Sequence, residues 1–254
     1  MTTPTTSIIT PVHNSAAFLD ACIDSVQAQT REDWELILVD DASSDDSRKR
    51  MAARAEDDAR IRPIYLSQNQ GAAVARNTAI EKARGRYIAF LDSDDLWAPD
   101  KLERQLALCE AQGAAFVYGA YTLRKENSAP SREKTITPQA RIHYRGLLNA
   151  TIIATSTALY DREAFGGRVY MPEIRKRQDL GLWLKLLRRT DWAHGVVDSP
   201  VATICKRPGS LSDNKFSALY NTWRLYRDHE GLSASASLWH LANYATRAAF
   251  KYLG

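Results

Sequence analysis

The chain has 254 residues, 44% hydrophobic and 25% charged, enough for one large α/β domain with or without a helical appendage. Its net charge of +4 is too small to indicate nucleic acid, though it suits anionic ligands such as diphosphates or anionic lipid surfaces. No run approaches the roughly 20 apolar residues that cross a bilayer, no signal peptide is evident at the start, and Cys22, Cys109 and Cys205 lie too far apart for a C-x-x-C motif or a disulfide framework, so the expected compartment is the cytosol.

Strand and helix signals alternate through the first half. Ser7–Thr10 is a short β-branched run ending at Pro11, and Phe18, Cys22 and Val26 then recur at helical spacing. Trp34–Val39 reads as a buried strand stopped by Asp40-Asp41, with Ser43 or Ser44 placed to cap a helix reaching about Asp57. A third strand over Ile61–Leu66 leads to a helix from Gly71 to Arg84, stopped at Gly85. The fourth strand, Tyr87–Leu91, runs into Asp92-Ser93-Asp94-Asp95.

After Pro99 come a helix over Asp100–Gln112, a strand over Ala115–Tyr121 and a polar loop from Arg124 to Pro138. Ala154–Tyr160 and Val196–Cys205 are strand-like. Between them Gln178-Asp179 opens an amphipathic helix that buries Leu180, Trp183, Leu184 and Leu187, and two further helices end the chain. In the last, Leu238, Leu241, Ala242 and Ala245 share one side, expected either to pack on the domain or to lie on a membrane surface.

This alternation implies an α/β fold with a mostly parallel sheet covered by helices on both faces. Ligands of such sheets bind beyond the carboxyl ends of the strands. The polar clusters Pro11–Asn14, Asp40-Asp41 and Asp92–Asp95 stand at those ends. Two carboxylates two residues apart, Asp92 and Asp94, suit a hard divalent cation, Mn²⁺ or Mg²⁺, that carries a diphosphate. No glycine-rich phosphate loop follows the first strand, which counts against a nucleotidyltransferase. No G-x-G-x-x-G follows any strand, which disfavours an oxidoreductase.

The ordered blocks Ile8–Asn14, Val39–Asp45, Asn69–Gly71 with Ala75–Asn77, and Gly85–Asp95 resemble the family 2 glycosyltransferases, inverting enzymes of the GT-A fold. The resemblance covers about the first 120 residues well and continues more weakly to about 215. It implies a catalytic domain over 1–212, split at 120 into a nucleotide-sugar half and an acceptor half, with a helical extension over 213–254. It implies a nucleotide-sugar donor, with UDP expected from Asp41, and a saccharide or lipid-linked saccharide acceptor. Peripheral membrane contact through the C-terminal helices would place the enzyme at the inner face of the cell membrane.

Carried over position by position, Asp41 is the partner of the nucleobase, and Pro11, His13 and Asn14 line the base site. The family often has Tyr where His13 stands. Arg76 would meet the diphosphate, Asp92 and Ser93 the ribose side, Asp94 the metal, and Asp95 the donor hydroxyls. Asp179 matches the general base that takes the acceptor proton, in a place where the family carries Glu-Asp and this chain has Gln178-Asp179. Arg207 and Lys215 lie in a segment resembling one that closes over the donor. A catalytically silent nucleotide-sugar-binding relative is the alternative, disfavoured by the presence of Asp94 and Asp179.

Overall fold

The computed structural model describes residues 3–125, 133–150, 152–206 and 215–253. Strands β1 (Thr6–Val12), β2 (Trp34–Asp40), β3 (Ile61–Tyr65) and β4 (Tyr87–Phe90) alternate with helices α1 (Ala16–Gln27), α2 (Ser47–Asp57) and α3 (Ala72–Lys82). The short β5 (Leu96–Trp97), α4 (Lys101–Gln112), β6 (Phe116–Gly119) and β7 (Tyr121–Lys125) follow. Next come β8 (Lys134–Ile136), β9 (Arg141–Ile142), α5 (Tyr144–Leu148), β10 (Leu159–Asp161), α6 (Gln178–Leu187), β11 (Ala193–Val196) and β12 (Ala202–Lys206). The chain finishes with α7 (Lys215–Arg224), a π-helical turn over Leu225–His229, and α8 (Ala234–Leu253).

The main sheet has the order β3-β2-β1-β4-β10-β6-β11-β9. Six of these eight strands run one way, as the alternation implies, while β10 runs against both its neighbours and β9 against β11. Period-two alternation sends Ile9, Ile37, Val39, Phe90, Phe116 and Tyr160 to the face covered by α3 and α6. Ile8, Leu36, Leu38, Ala89, Val117 and Leu159 go to the face covered by α1, α2 and α4. Both faces are therefore apolar, which is why these strands read as continuous hydrophobic runs.

A second sheet, β5-β12-β7-β8, was not expected. The runs read as single strands over 115–121 and 196–205 each divide, because the chain passes from one sheet to the other between β6 and β7 and between β11 and β12. At that passage a Cβ on Gly119 would stand 2.5 Å from the Val201 side chain, so only glycine allows the two crossings to lie together. The helix ending expected at Gly85 lies earlier, at Lys82, and Asp46 rather than a serine stands at the N-cap position of α2. Gly85 serves a different purpose: a Cβ there would meet the backbone of Ser7 at 2.7 Å.

Of the two arrangements expected for the last helix, packing on the domain through the side at Leu238 does not hold. Among its described side chains Ser237 and Tyr244 are buried, while Leu238 and Trp239 are 62% and 67% exposed. Leu225 and Tyr226 at the preceding turn are fully buried and join the core on the α6 face. Among the described residues no helix is long and apolar enough to cross a membrane.

Opposite the carboxyl ends of the strands, the sheet is closed by Glu35, which has no exposed surface. Its carboxylate accepts from Ser7 Oγ at 2.6 Å and the Arg84 amide at 2.7 Å, and pairs with Arg62 at 2.5 Å and Arg84 Nε at 2.9 Å. Burial works to raise its pKa, but the Ser7 hydroxyl, the Arg84 amide and the Arg62 guanidinium together outweigh it and hold the carboxyl below its ordinary value. A depressed folded-state value means stability that is present above about pH 4.3 and lost as pH falls through that lower value. Glu35→Gln should cost about 2–3 kcal/mol in urea unfolding at neutral pH, the worth of charge-assisted bonds made by a carboxylate that is itself fully buried. The gap between wild type and variant should narrow below about pH 4.

Candidate active site

The carboxyl ends of β1, β2 and β4 meet at one edge of the sheet, and the loops that leave them are tied to one another. The Asp41 amide donates to the Val12 carbonyl at 2.8 Å, and Ser15 Oγ lies 2.8 Å from Ser93 Oγ. Asn14 Oδ1 accepts from the Ser44 amide at 2.8 Å, and Asp45 Oδ2 accepts from the Ala16 amide at 2.9 Å. Three non-glycine residues among those described have positive φ: Asn14 (49°), Ala42 (56°) and Arg177 (66°). Such backbone costs on the order of 1–3 kcal/mol and persists where the surroundings enforce it. Two of the three stand in these loops, and the third precedes the helix that carries Asp179.

Asp40 and Asp41 are both buried. Asp40 pairs with Arg48 at 2.6 Å and accepts from the Ser43 amide. Asp41 accepts from the amides of Gln70 and Gly71 at 2.7 and 2.8 Å, one to each oxygen, and so anchors the turn that starts α3. Gly71 has φ of 91°, which suits only glycine there. The exposed His13 ring donates from Nδ1 to the Asp41 carbonyl at 2.9 Å, a contact that fixes the tautomer because a carbonyl can only accept. Asn69 Nδ2 donates to the same carbonyl at 3.2 Å. Pro11 is the last residue but one of β1, half-buried and paired in register with Val39.

The four-residue acidic turn after β4 divides by direction. Asp92 and Asp94 are half-buried, whereas Ser93 and Asp95 point inward, 6% and 4% exposed. Asp92 accepts from Arg76 Nη2 at 2.5 Å. Arg76 itself is 5% exposed, and its Nε and Nη1 are buried with no acceptor among the described residues. Asp95 has a protein donor on each of its oxygens. Ser156 Oγ donates to its Oδ2 at 2.5 Å, and the Cys205 amide on β12 donates to its Oδ1 at 2.9 Å. Burial, then the charges of Asp92 and Asp94, push the Asp95 carboxyl well above its ordinary range. It is a tie between the two sheets.

Asp179 lies in the first turn of α6, half-buried. Its Oδ1 accepts from the Leu180 amide at 2.8 Å and its Oδ2 from Thr155 Oγ1 at 3.2 Å. The helix is seated by Trp183, one turn further on, which is wedged between Phe90 at 5.3 Å and Phe116 at 5.2 Å. The segment before it is held from the C-terminal helices: Arg177 Nη2 donates to Tyr244 Oη at 2.6 Å, and Lys176 Nζ to Ser217 Oγ at 2.8 Å.

The structure thus gathers Pro11, His13, Asn14, Asp41, Arg76 and Asp92–Asp95 at one edge, and links Asp179 to them through the turn at 155–157. Arg207 lies outside the described residues, as does the side chain of Lys215, which opens α7. Sequence reading missed Thr155, Ser156 and Tyr244. Isolated hydroxyl residues and a helical tyrosine carry no spacing signal, and only the fold shows what they touch. An open cleft of about 630 Å³ lined by His143, Tyr144, Arg145 and Arg188 sits at the far end of α6, roughly 15 Å of helix away from Asp179, and contains none of these residues.

Asp41→Asn keeps the shape of the side chain but sets an amide NH₂ against one of the two backbone donors. The expected cost is about 1–3 kcal/mol for the unsatisfied group. Amide hydrogen exchange at Gln70 and Gly71 should quicken ahead of exchange in β1 and β2. Unchanged protection at these two amides would contradict the anchoring role.

Comparison with known proteins gives the family and the fold type. Residues 7–167 match the family described as Glycosyl transferase family 2. The chain is 40% identical over 250 residues to TuaG of Bacillus subtilis (strain 168), whose name assigns it to teichuronic acid biosynthesis, covering 98% of both chains. It is 35% identical over 242 residues to WfgD of Escherichia coli, named as a UDP-Glc:α-D-GlcNAc-diphosphoundecaprenol β-1,3-glucosyltransferase, covering 94% of this chain and 91% of the relative. In fold it matches the GT-A enzyme TarS of S. aureus solved with UDP-GlcNAc, at a TM-score of 0.70 and 19% identity over 95% of this chain and 72% of that one. It also matches the mannosyltransferase PcManGT of Pyrobaculum calidifontis solved with GDP-Man and Mn²⁺, at 0.66 and 18% over 100% of this chain and 77% of that one. An α/β fold of GT-A type, with acidic and basic groups gathered at the carboxyl ends of its parallel strands, belongs here to a member of glycosyl transferase family 2, and the chain is a glycosyltransferase.

Proposed function

We propose that the chain is an inverting, divalent-cation-dependent transferase that moves a sugar from a UDP-sugar to a hydroxyl of a lipid-linked saccharide in the building of a surface polysaccharide. The observation that carries this reading is Arg76. A guanidinium with two buried donors unmatched and one carboxylate beside it is costly unless an anion completes its shell. A diphosphate arriving over Asp92 and Asp94 supplies that anion, and its charged oxygens are strong acceptors for a guanidinium.

Among the described residues no group of three or more His, Cys, Asp or Glu is placed to hold a metal. Mg²⁺ and similar ions on nucleotides commonly need one or two carboxylates, the rest of the shell being phosphate oxygens and water. Asp94, with Asp92 beside it, offers that oxygen donor set. When bound, the ion would offset the charge that develops on the leaving diphosphate. In this reading Asp41, with Pro11, His13 and Asn14, receives the base. Ser93 backs the ribose side, and Arg207 and Lys215 add cations to the diphosphate.

Asp179 takes the proton of the acceptor hydroxyl as its oxygen attacks the anomeric carbon. The bond from that carbon to the phosphate oxygen breaks in the same displacement, and the nucleoside diphosphate leaves with the electron pair. Uridine is favoured over guanosine by the relatives' names: WfgD is named for UDP-Glc and TarS was solved with UDP-GlcNAc, while PcManGT was solved with GDP-Man.

The test is nucleotide release from a panel of UDP-, GDP- and dTDP-sugars with Mn²⁺, Mg²⁺ or EDTA. One UDP-sugar should be turned over in a metal-dependent way, and Asp94→Ala should abolish this. Asp179→Asn should bind that donor as wild type does yet transfer about 10²–10⁴-fold more slowly. Donor binding without turnover would instead favour a silent relative, and absence of both turnover and metal-dependent nucleotide binding would contradict the reading.

A lipid-linked acceptor places the enzyme at the cytoplasmic face of the membrane, and the C-terminal helices carry the features for it. Tyr220 on α7 is 63% exposed with the exposed Arg224 one turn on, and Leu238 and Trp239 on α8 face solvent. Apolar anchors beside cations suit an anionic bilayer. Leu238→Asp with Trp239→Asp should reduce co-sedimentation with phosphatidylglycerol vesicles at least about 10-fold, given roughly 1.5–3 kcal/mol for burying each side chain. Unchanged vesicle binding would rule the contact out. Point substitutions are the informative choice, because deleting the helix would also remove Tyr244 from Arg177.

A further inference from the structure

The one-turn 3₁₀ segment Thr155–Thr157 precedes β10, which runs antiparallel to β4. Antiparallel pairing sets the residues entering β10 beside those leaving β4: the Phe90 amide donates to the Ala158 carbonyl at 3.2 Å. Ser156 is therefore next to the acidic turn, and Thr155, one residue earlier, is next to α6. Each uses its hydroxyl in that direction. Ser156 Oγ accepts from the Asp92 amide at 3.0 Å while donating to Asp95. Thr155 Oγ1 donates to Asp179 Oδ2 and is the one side-chain partner of that carboxylate among the described residues.

The turn itself is built to stay in place. Trp97 Nε1 donates to the Ser156 carbonyl and Gln105 Nε2 to the Thr157 carbonyl, both at 2.7 Å. Gln105 is in turn held by Lys101 Nζ at 2.6 Å, with the lysine fully buried over the Trp97 ring. Thr157 Oγ1 closes the turn onto the Ala154 carbonyl at 2.7 Å. A segment of three residues with this many buried polar supports is a rigid fulcrum, and the hydroxyls of Ser156 and Thr155 are spent on the donor turn and on the candidate base.

We infer that Thr155 and Ser156 are positioning residues that hold the base Asp179 in register with the nucleotide-sugar turn Asp92–Asp95, Thr155 acting on the proton-transfer side and Ser156 on the donor side. The inference rests on the glycosyl-transfer reading of the site. Its chemical content is a division of labour. A base swung out of line by a fraction of an ångström slows the displacement without weakening donor binding, whereas a loosened acidic turn weakens binding first.

Steady-state transfer and donor binding by calorimetry, measured on wild type, Thr155→Val, Thr155→Ser and Ser156→Ala, test this directly. Thr155→Val removes the hydroxyl at nearly constant volume, and kcat should fall about 10-fold or more with donor KM and Kd within about twofold of wild type. Thr155→Ser restores the hydroxyl and should recover most of kcat. Ser156→Ala should instead raise donor KM and Kd about 5-fold or more. Wild-type turnover with Thr155→Val unimpaired, or with Thr155→Ser as slow as Thr155→Val, overturns the inference alone, since packing rather than the hydroxyl would then be at work. A wild type that neither binds nor turns over any nucleotide sugar overturns the functional reading first and this one with it.

Discussion

The antiparallel insertion of β10 between β4 and β6 is the constraint on which the site depends. Parallel strands deliver only their carboxyl ends to one edge of a sheet, and β1, β2 and β4 do so with Asn14, Asp41 and Asp92. A strand running the other way delivers residues that enter it. That is how Ser156, far along the chain from the acidic turn, comes to lie against it, with Thr155 beside it facing α6. The pairing of Leu159 with Ala89 and of Tyr160 with Ile88 sets the register, and a slip by one residue would turn the apolar side chains of β10 to the wrong faces. The chemistry of the site is thus tied to the packing of the core.

Support for the site is graded. The strand ends are carried by a core with almost no exposed surface, and Trp183, wedged between Phe90 and Phe116, fixes α6 one turn from Asp179. Above this layer, buried polar groups replace apolar packing: Asp40 with Arg48, Asp41 with two amides, Asp95 with Ser156 and Cys205. Each such group would cost free energy if its partner were lost, so the loops are held to one arrangement. The positive φ values at Asn14, Ala42 and Arg177 are local strain that these bonds enforce. Arg177 is restrained from the far end of the chain by Tyr244, which makes α8 part of the apparatus around Asp179.

Much of the first half was legible in the sequence because the signals there are local. Strands β1 to β4 are apolar runs punctuated by Asp, Asn and Pro, and the helices between them repeat at 3.6 residues. The acidic turn stood out as charged residues where a strand ends, whereas Asp179 was found through its match to the position at which the resembling family carries its base. What escaped depends on contacts distant in sequence. The second sheet forms because Gly119 lets Val201 approach, and nothing in Ala115–Tyr121 alone announces that crossing. Asp95 looks like its neighbours in the acidic run and differs only by the Ser156 and Cys205 that receive it. The buried side of α8 carries Ser237 and Tyr244, the latter bonded to Arg177, while the apolar stripe at Leu238 faces solvent.

The central claim is that the acidic turn, the 155–157 turn and the start of α6 surround one metal–nucleotide centre. Paramagnetic broadening of backbone amides by Mn²⁺ with UDP, with Mg²⁺ and UDP as the diamagnetic control, tests it without knowledge of the acceptor. The account predicts that amides of residues 92–95, 155–156 and 179–180 lose intensity first and together. Broadening centred elsewhere, for instance on the basic cleft around Arg145 and Arg188, with those three segments untouched, would contradict it.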